Sequence, residues 1–353
     1  MTLLIYLTRI VGLRIFAVCA CLIVLGIGVD LIRTAPELLE FGGGQAVATY
    51  ALLRVPAMLA TTLPIATLIG GLLAMLSLGQ NSELPIMRAA GISTQKLLFW
   101  LVPLALLLGF IHHLTVDRGV IWSKNALGTT FGKIIDIDVP EIGRPVAVRD
   151  GNRILYGKLA SLDGRSLAPF TSFTLDSNGN VVQRESADNA VYSGGAWVLR
   201  RVDSVVIDSE ESVQTTLPQY ALKSALTPQL VLDLASKTKA VDSRHAAAVL
   251  AKQAIATRGS AYYAMQINRS YVAWVIPFVM LLIGMLGSYK LPRSSRGLQA
   301  AGIGFVLGIV YIGTDGVFTS FGRLGIVSTD FAAYTPSFSF ALLAVIALRQ
   351  LES

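Results

Sequence analysis

Apolar residues fall in long unbroken runs toward both ends of the chain and in short alternating runs in its middle. Val55–Ser82 and Leu97–Val116 contain no charged residue, so each is long enough to cross a hydrocarbon core as a helix. The same criterion along the whole chain predicts six spans: Arg14–Val29, Val55–Gly79, Leu97–Val116, Ser270–Tyr289, Leu298–Thr314 and Phe331–Leu348. Three precede residue 117 and three follow residue 269. About 150 residues of ordinary soluble composition lie between them, enough for one domain.

That middle segment reads as strands from Arg144 to Ile207. The runs are Pro145–Val148, Arg153–Tyr156, Phe170–Leu175, Val181–Val182, Ala190–Tyr192, Trp197–Leu199 and Val205–Ile207, set apart by turn residues. Asp176-Ser177-Asn178-Gly179-Asn180 is the clearest turn, and its Asn-Gly suits a two-residue hairpin. It lacks the later ligands and the Glu of a calcium loop. Short strands without helical interruption predict a β-sandwich or jelly roll. After Leu217 the β pattern fades. Thr227-Pro228 with Leu230, Leu232 and Leu234 reads as a helix start, and Ala-rich helical sequence runs from His245 past Tyr262 into the fourth span. The expected fold is a membrane α-helical bundle of six spans with an inserted β domain, divided as 1–117, 118–265 and 266–353.

Composition agrees with a membrane protein: 53% of residues are hydrophobic, 14% are charged, and mean hydropathy is +0.61. The net charge of +7 is a topology signal rather than a nucleic-acid footprint. One side of the six-span arrangement holds Arg9, Arg14, Arg88, Lys96, Lys290, Arg293, Arg296 and Arg349 against Glu83 and Glu352. The other short loops hold Arg33, Arg54 and Arg323 against five carboxylates. Both termini are therefore expected in the cytoplasm and the large domain outside. Cys19 and Cys21 lie within the first span and read as small apolar residues. The run continuing to Val29 argues against a cleaved leader.

The polar step between the second and third spans carries the most specific chemistry. Ser82-Glu83 favours a helix start, Pro85 fits only the first turn, and Gly91 is a natural stop, which predicts a helix of about two turns within 82–93. Glu83 through Met87-Arg88-Ala89-Ala90-Gly91-Ile92-Ser93 resembles the cytoplasmic coupling segment of the lipopolysaccharide-export permeases, the LptF/LptG family, nearer its LptG branch. Asp315, Phe321-Gly322-Arg323-Leu324-Gly325 and Ala332-Ala333-Tyr334-Thr335-Pro336 resemble the family's run into the last span, and Thr227-Pro228-Gln229-Leu230 its return segment.

The resemblance implies a bacterial inner-membrane permease half with a periplasmic jelly roll. It implies a dimeric LptB-like ATPase on Glu83, Leu84, Met87, Arg88 and Gly91, a second LptF-like permease, LptC-like and LptA-like partners, and lipopolysaccharide as substrate. Arg33, Arg54 and Arg323 are candidates for the headgroup phosphates, which a planar guanidinium matches; paired or interfacial charge is the competing reading. Gly26, Gly304 and Gly308 either line a gate between permeases or pack within the chain.

No G-x-x-x-x-G-K-[ST] loop occurs, since Gly128, Gly132 and Lys133 are wrongly spaced, so ATP hydrolysis is expected in a partner. No cofactor or metal is implied. Two other readings compete: a permease of another ABC-type envelope lipid exporter, and a membrane-embedded lipid-modifying enzyme using His112, His113 and Asp117.

Overall fold

The computed structural model describes residues 2–132, 134–135, 142–176, 179–207, 212–235, 243–251, 258–286 and 296–352. It contains two compact units. One comprises residues 1–135, 241–246 and 261–353, the other residues 136–240 and 247–260.

The first unit is helical. Helix α1 (Thr2–Gln80) is broken at Gly42 and Gly43. Gly43 has φ 61° and ψ −149°, a region that only a residue without Cβ enters without strain. The chain reverses there, and residues 44–80 run back along residues 2–41. A Cβ on Gly70 would lie 2.5 Å from the Ile15 Cα, so the two arms touch backbone to backbone. Arg14 donates to the Leu73 carbonyl, and Arg54 pairs with Asp30 at 2.6 Å. The first two expected spans lie in these arms, which stay helical well beyond them.

A short helix α2 (Glu83–Ala89) leads into α3 (Thr94–Leu114), a π turn at Thr115–Gly119 and α4 (Val120–Phe131). The later helices are α7 (Ser260–Val272), α8 (Ile276–Leu286), α9 (Arg296–Leu324) and α10 (Thr329–Glu352). Among the described residues four helices are long and apolar enough to cross a membrane, or five if α7 and α8, bent by 54° at their junction, form one broken span. The core joins Leu7, Val11 and Ile15 to Leu97, Leu101 and Leu281. Phe16, Phe99 and Phe338 are 71%, 75% and 71% exposed; such outward aromatic surface suits lipid rather than water.

The second unit holds one antiparallel sheet with strands in sequential order: β1 (Pro145–Asp150), β2 (Arg153–Leu159), β3 (Ser166–Leu175), β4 (Val181–Ser193), β5 (Ala196–Ile207) and β6 (Ser212–Leu222). The described strands thus form a meander with β1 and β6 at its edges, where the sequence suggested a sandwich or jelly roll. The expected runs at Val181 and Ala190 are one strand, β4, and those at Trp197 and Val205 are one strand, β5. Strand β6, at which the sequence pattern faded, extends to Leu222.

Pairing is interrupted along a line through β3, β4 and β5. It resumes across Ala168–Pro169 in β3, Asp188 in β4 and Arg201 in β5, and Arg201 has φ 51°. At this line the buried positions shift phase by one residue: Leu167 and Phe170, Ala187 and Ala190, Leu199 and Val202 are all buried three apart. An irregularity of this kind bends each strand while keeping one face inward.

The apolar end of the inner face packs against α5 (Pro228–Ala235) through Leu230, Val231 and Leu234. Pro228 opens α5 as expected, and the Thr227 hydroxyl accepts from the Leu230 amide at 3.3 Å. Trp197, fully buried, donates its indole N–H to the Leu226 carbonyl at 2.7 Å. The β3–β4 turn is closed by the Asp176 and Asn180 backbones at 2.9 Å with Gly179 at φ 87°; Ser177 and Asn178 lie outside the described residues. Helix α6 (Ser243–Leu250) follows within the expected helical return. Lys133, Lys290 and Arg293 of the sequence reading also lie outside the described residues.

Candidate functional site

Helix α2 forms between the predicted second and third spans, but its start differs from expectation. Ser82 precedes it at φ 62° with no side-chain capping bond. The capping hydroxyl in this segment is that of Ser93, which accepts from the Lys96 amide at the start of α3. Gly91, at φ 80°, makes the turn between the two helices in a conformation that favours glycine.

The two faces of α2 are chemically opposite. Leu84 and Met87, three residues apart and so on one face, are 7% and 6% exposed. They join the cluster of Leu7, Val11, Leu78 and Leu97. These two residues, expected to meet a partner, instead anchor the helix to its own chain. Pro85, Ile86, Arg88 and Ala89 are exposed, with Ile86 at 66%. Glu83, half-buried, accepts a hydrogen bond from the Tyr6 hydroxyl at 2.9 Å. Both Ile86 and Tyr6 were missed in the sequence. Ile86 was signalled by its place two residues after Leu84, off the Leu84–Met87 stripe; Tyr6 lies 77 positions from Glu83 and carried no local signal.

The three candidate headgroup arginines have different surroundings. Arg33 is exposed on α1. Arg54 is bound to Asp30, so much of its charge is neutralised within the chain. Arg323 is exposed near the end of α9 and lies over the Tyr262 ring at 5.7 Å. Arg269 pairs with Asp315 and also donates to the Thr319 hydroxyl at 3.2 Å. This pair links α7 to α9, and a charge pair within an apolar helical unit is tolerated because each charge compensates the other.

The glycines of the proposed gate pack within this chain. A Cβ on Gly26 would lie 3.1 Å from the Met58 sulfur, and one on Gly308 would lie 2.1 Å from Leu68 Cδ2. Gly304 is buried on the same α9 stripe. The tightest approach to another segment's backbone in α3 is one the sequence reading passed over: a Cβ on Gly109 would lie 2.3 Å from the Trp274 carbonyl oxygen, at the α7–α8 break.

His112 and His113 serve that same break. The buried His112 ring faces the Ala273 carbonyl at 2.9 Å and the Ala60 carbonyl at 3.2 Å. The His113 Nδ1 lies 2.7 Å from the Ser270 carbonyl. Unwinding at Ala273–Val275 leaves carbonyls without helical partners, and the imidazoles engage them. Asp117 accepts from the Ser243 amide at 2.9 Å. The three residues are thus held by separate backbone groups, and among the described residues no three His, Cys, Asp or Glu side chains cluster as metal ligands.

Against this geometry, the family model of the lipopolysaccharide export system permease LptF/LptG matches residues 5–350. The chain belongs to the LptF/LptG family. Within it, the chain is similar to the lipopolysaccharide export system permease protein LptG of Haemophilus influenzae, at 27% identity over 179 residues. That match covers 50% of each chain, so the chain spans about half the length of this curated relative. LptF/LptG membership fits a chain that combines apolar helices with an antiparallel β unit.

Proposed function

We propose that this chain is one permease half of an ATP-driven exporter that draws lipopolysaccharide from the bacterial inner membrane and passes it to a periplasmic β-structured bridge. The observation that carries the reading is α2: a short helix anchored inward by Leu84 and Met87 and presenting Pro85, Ile86, Arg88 and Ala89 outward. Such a helix can receive a push from a soluble partner and deliver it to the spans. Glu83, Arg88 and Ile86 are the proposed contacts with a dimeric LptB-like ATPase, and Gly91 sets the turn behind them.

In this reading the chain crosses the membrane six times, with α1 crossing twice, then α3, the bent α7–α8 pair, α9 and α10. Both termini are cytoplasmic. The β unit is periplasmic, belongs to the jelly-roll type of the family, and docks through an edge strand, β1 or β6, to an LptC-like or LptA-like neighbour. A second, LptF-like permease completes the cavity, with Gly26, Gly304 and Gly308 permitting close packing of the helices that border it. Arg33 and Arg323 are the proposed headgroup contacts, with Arg54 held back by Asp30.

Purification of the tagged chain from membranes tests the assembly. The reading expects a separate ATPase and a second permease to copurify, and depletion of the chain to leave lipopolysaccharide in the inner membrane. Purification of the chain alone, with normal lipopolysaccharide delivery after depletion, would overturn it. In intact spheroplasts a cysteine placed at Asn180 should react with an impermeant thiol reagent and one at Arg88 should not.

A further inference from the structure

Helix α3 places one side chain against two proline-interrupted stretches of helix. In an α-helix the carbonyl of each residue accepts from the N–H four residues on, and proline has no N–H to give. Pro64 stands four residues after Ala60 in the second arm of α1, and Pro277 stands four residues after Ala273 at the α7–α8 break. The sequence therefore strips both carbonyls of their helical donor. Both face His112: its Nδ1 lies 2.9 Å from the Ala273 oxygen and its Nε2 lies 3.2 Å from the Ala60 oxygen. The histidine is 3% exposed, so the ring rather than solvent serves these oxygens.

A carbonyl oxygen only accepts. A neutral imidazole carries one N–H and presents its other nitrogen as an acceptor, whereas the imidazolium carries two N–H groups. A neutral His112 thus bonds one carbonyl and turns a lone pair toward the other, leaving a buried acceptor unmade. Only the protonated ring bonds both. The charged groups whose fields reach it are Arg269 on α7 and Asp315 on α9, with opposite signs. These two are paired with each other, and Asp315 Oδ1 is buried without a hydrogen-bond partner, so one carboxylate oxygen remains for a second positive charge. His113, next on α3, is engaged by the Ser270 carbonyl, and neither residues 55–82 of α1 nor α8 carries a charged side chain. Burial disfavours the charged ring; the two carbonyl dipoles and the Asp315 carboxylate favour it.

We propose that His112 is a proton-dependent tie between the second arm of α1 and the α7–α8 break. As imidazolium it holds both proline-stripped carbonyls to α3. On losing a proton it keeps the shorter bond, to Ala273, and releases Ala60. The two segments can then part without breaking any backbone hydrogen bond of either helix, because the prolines removed those bonds already. The tied form holds one proton more than the released form, so lowering the pH favours the tie and raising it favours release. Above the transition the ratio of released to tied forms grows by about ten-fold per pH unit, the limit for one proton.

The full chain in nanodiscs, labelled with nitrogen-15 histidine, tests the protonation directly by ring-nitrogen NMR. Of the three histidines, His112 is identified by the signals kept in His113→Gln/His245→Gln or, equally, lost in His112→Gln. Both ring nitrogens of His112 are expected to carry a proton at about pH 5.5, and one of them at about pH 9, bracketing the range in which imidazole titrates. A ring that is neutral at the lower pH, or doubly protonated at the higher, would overturn the proposal. Release is read from spin labels at Thr61→Cys and Tyr271→Cys, both exposed positions, with Cys19 and Cys21 replaced by Ala. A longer distance should gain on the shorter by about ten-fold per pH unit above the transition, and His112→Gln should make the distribution independent of pH. A distribution that ignores pH in the wild-type histidine form, or an undiminished pH response in His112→Gln, would overturn the tie. Any of these results leaves the export reading standing.

Discussion

Tyr6 donates its phenolic hydrogen to Glu83 Oε2 at 2.9 Å, joining the second turn of α1 to the first residue of α2. The two residues are on separate elements that share the Leu7–Leu84–Met87 cluster, so under the proposed export reading movement of α2 would be delivered to the first arm of α1. Tyr6→Phe removes this one bond at an exposed site. The expected result is an unfolding temperature within about 2 °C of wild type and ATP-driven lipid release lowered by about two- to five-fold. Because contacts in one path are not additive, Tyr6→Phe/Glu83→Ala should release lipid no more slowly than Glu83→Ala alone. Additive losses in reconstituted vesicles would remove Tyr6 from the path.

The two faces of α2 predict two separable phenotypes. Leu84→Ala opens a cavity in the cluster beneath α2 and should lower stability by about 2–4 kcal/mol. Ile86→Asp places a charge on the outward face, where it should leave the unfolding temperature unchanged and reduce ATPase copurification by ten-fold or more, roughly the effect of losing one interface anchor. Equal ATPase recovery from Ile86→Asp and wild type would show that the partner meets the chain elsewhere.

Close backbone approach makes Gly109 sensitive to any added side chain. Gly109→Ala would drive a methyl into the Trp274 carbonyl and should cost roughly 1–3 kcal/mol, read as a lower unfolding temperature. Gly313→Ala meets nothing within 4 Å and should be neutral or raise stability by about 0.5–1 kcal/mol through helix propensity. A neutral Gly109→Ala would contradict the tight packing of α3 on the α7–α8 break.

The Arg269–Asp315 pair predicts an asymmetric cycle. Asp315→Leu leaves the Arg269 guanidinium without its carboxylate and should destabilise by about 3–5 kcal/mol, whereas Arg269→Leu/Asp315→Leu should recover much of that loss. Unfolding measurements on the four forms check this. A double variant as weak as the sum of its parts would show that the two residues act independently.

Much of the helical unit is legible in the sequence because charge-free runs of about twenty residues leave few alternatives in lipid. The course of the chain between runs is less legible. Residues 30–41 and 44–54 mix charge and apolar side chains, and the antiparallel docking of the two α1 arms, with Asp30 meeting Arg54, explains why they stay helical on either side of the Gly42–Gly43 break. The strands were legible as fragments for a physical reason: at Asp188 and Arg201 the period-two pattern shifts by one residue, so β4 and β5 each read as two short runs. On α2, the three-residue spacing of Leu84 and Met87 already marked an inward face, although the resemblance drew both toward a partner. The pairing of Tyr6 with Glu83 and of Arg269 with Asp315 depends on folds between distant segments, which local pattern does not encode.

Placing a photoreactive residue at Arg33, and separately at Val206 on the rim of the β sheet, tests the export reading most directly. Vesicles would contain the chain, its copurifying ATPase and second permease, and lipopolysaccharide. The account predicts lipopolysaccharide adducts at position 33 without ATP, and adducts at position 206 that appear only when ATP is hydrolysed. Absence of adducts at both positions, or adducts at position 206 that are equal with and without ATP, would contradict it.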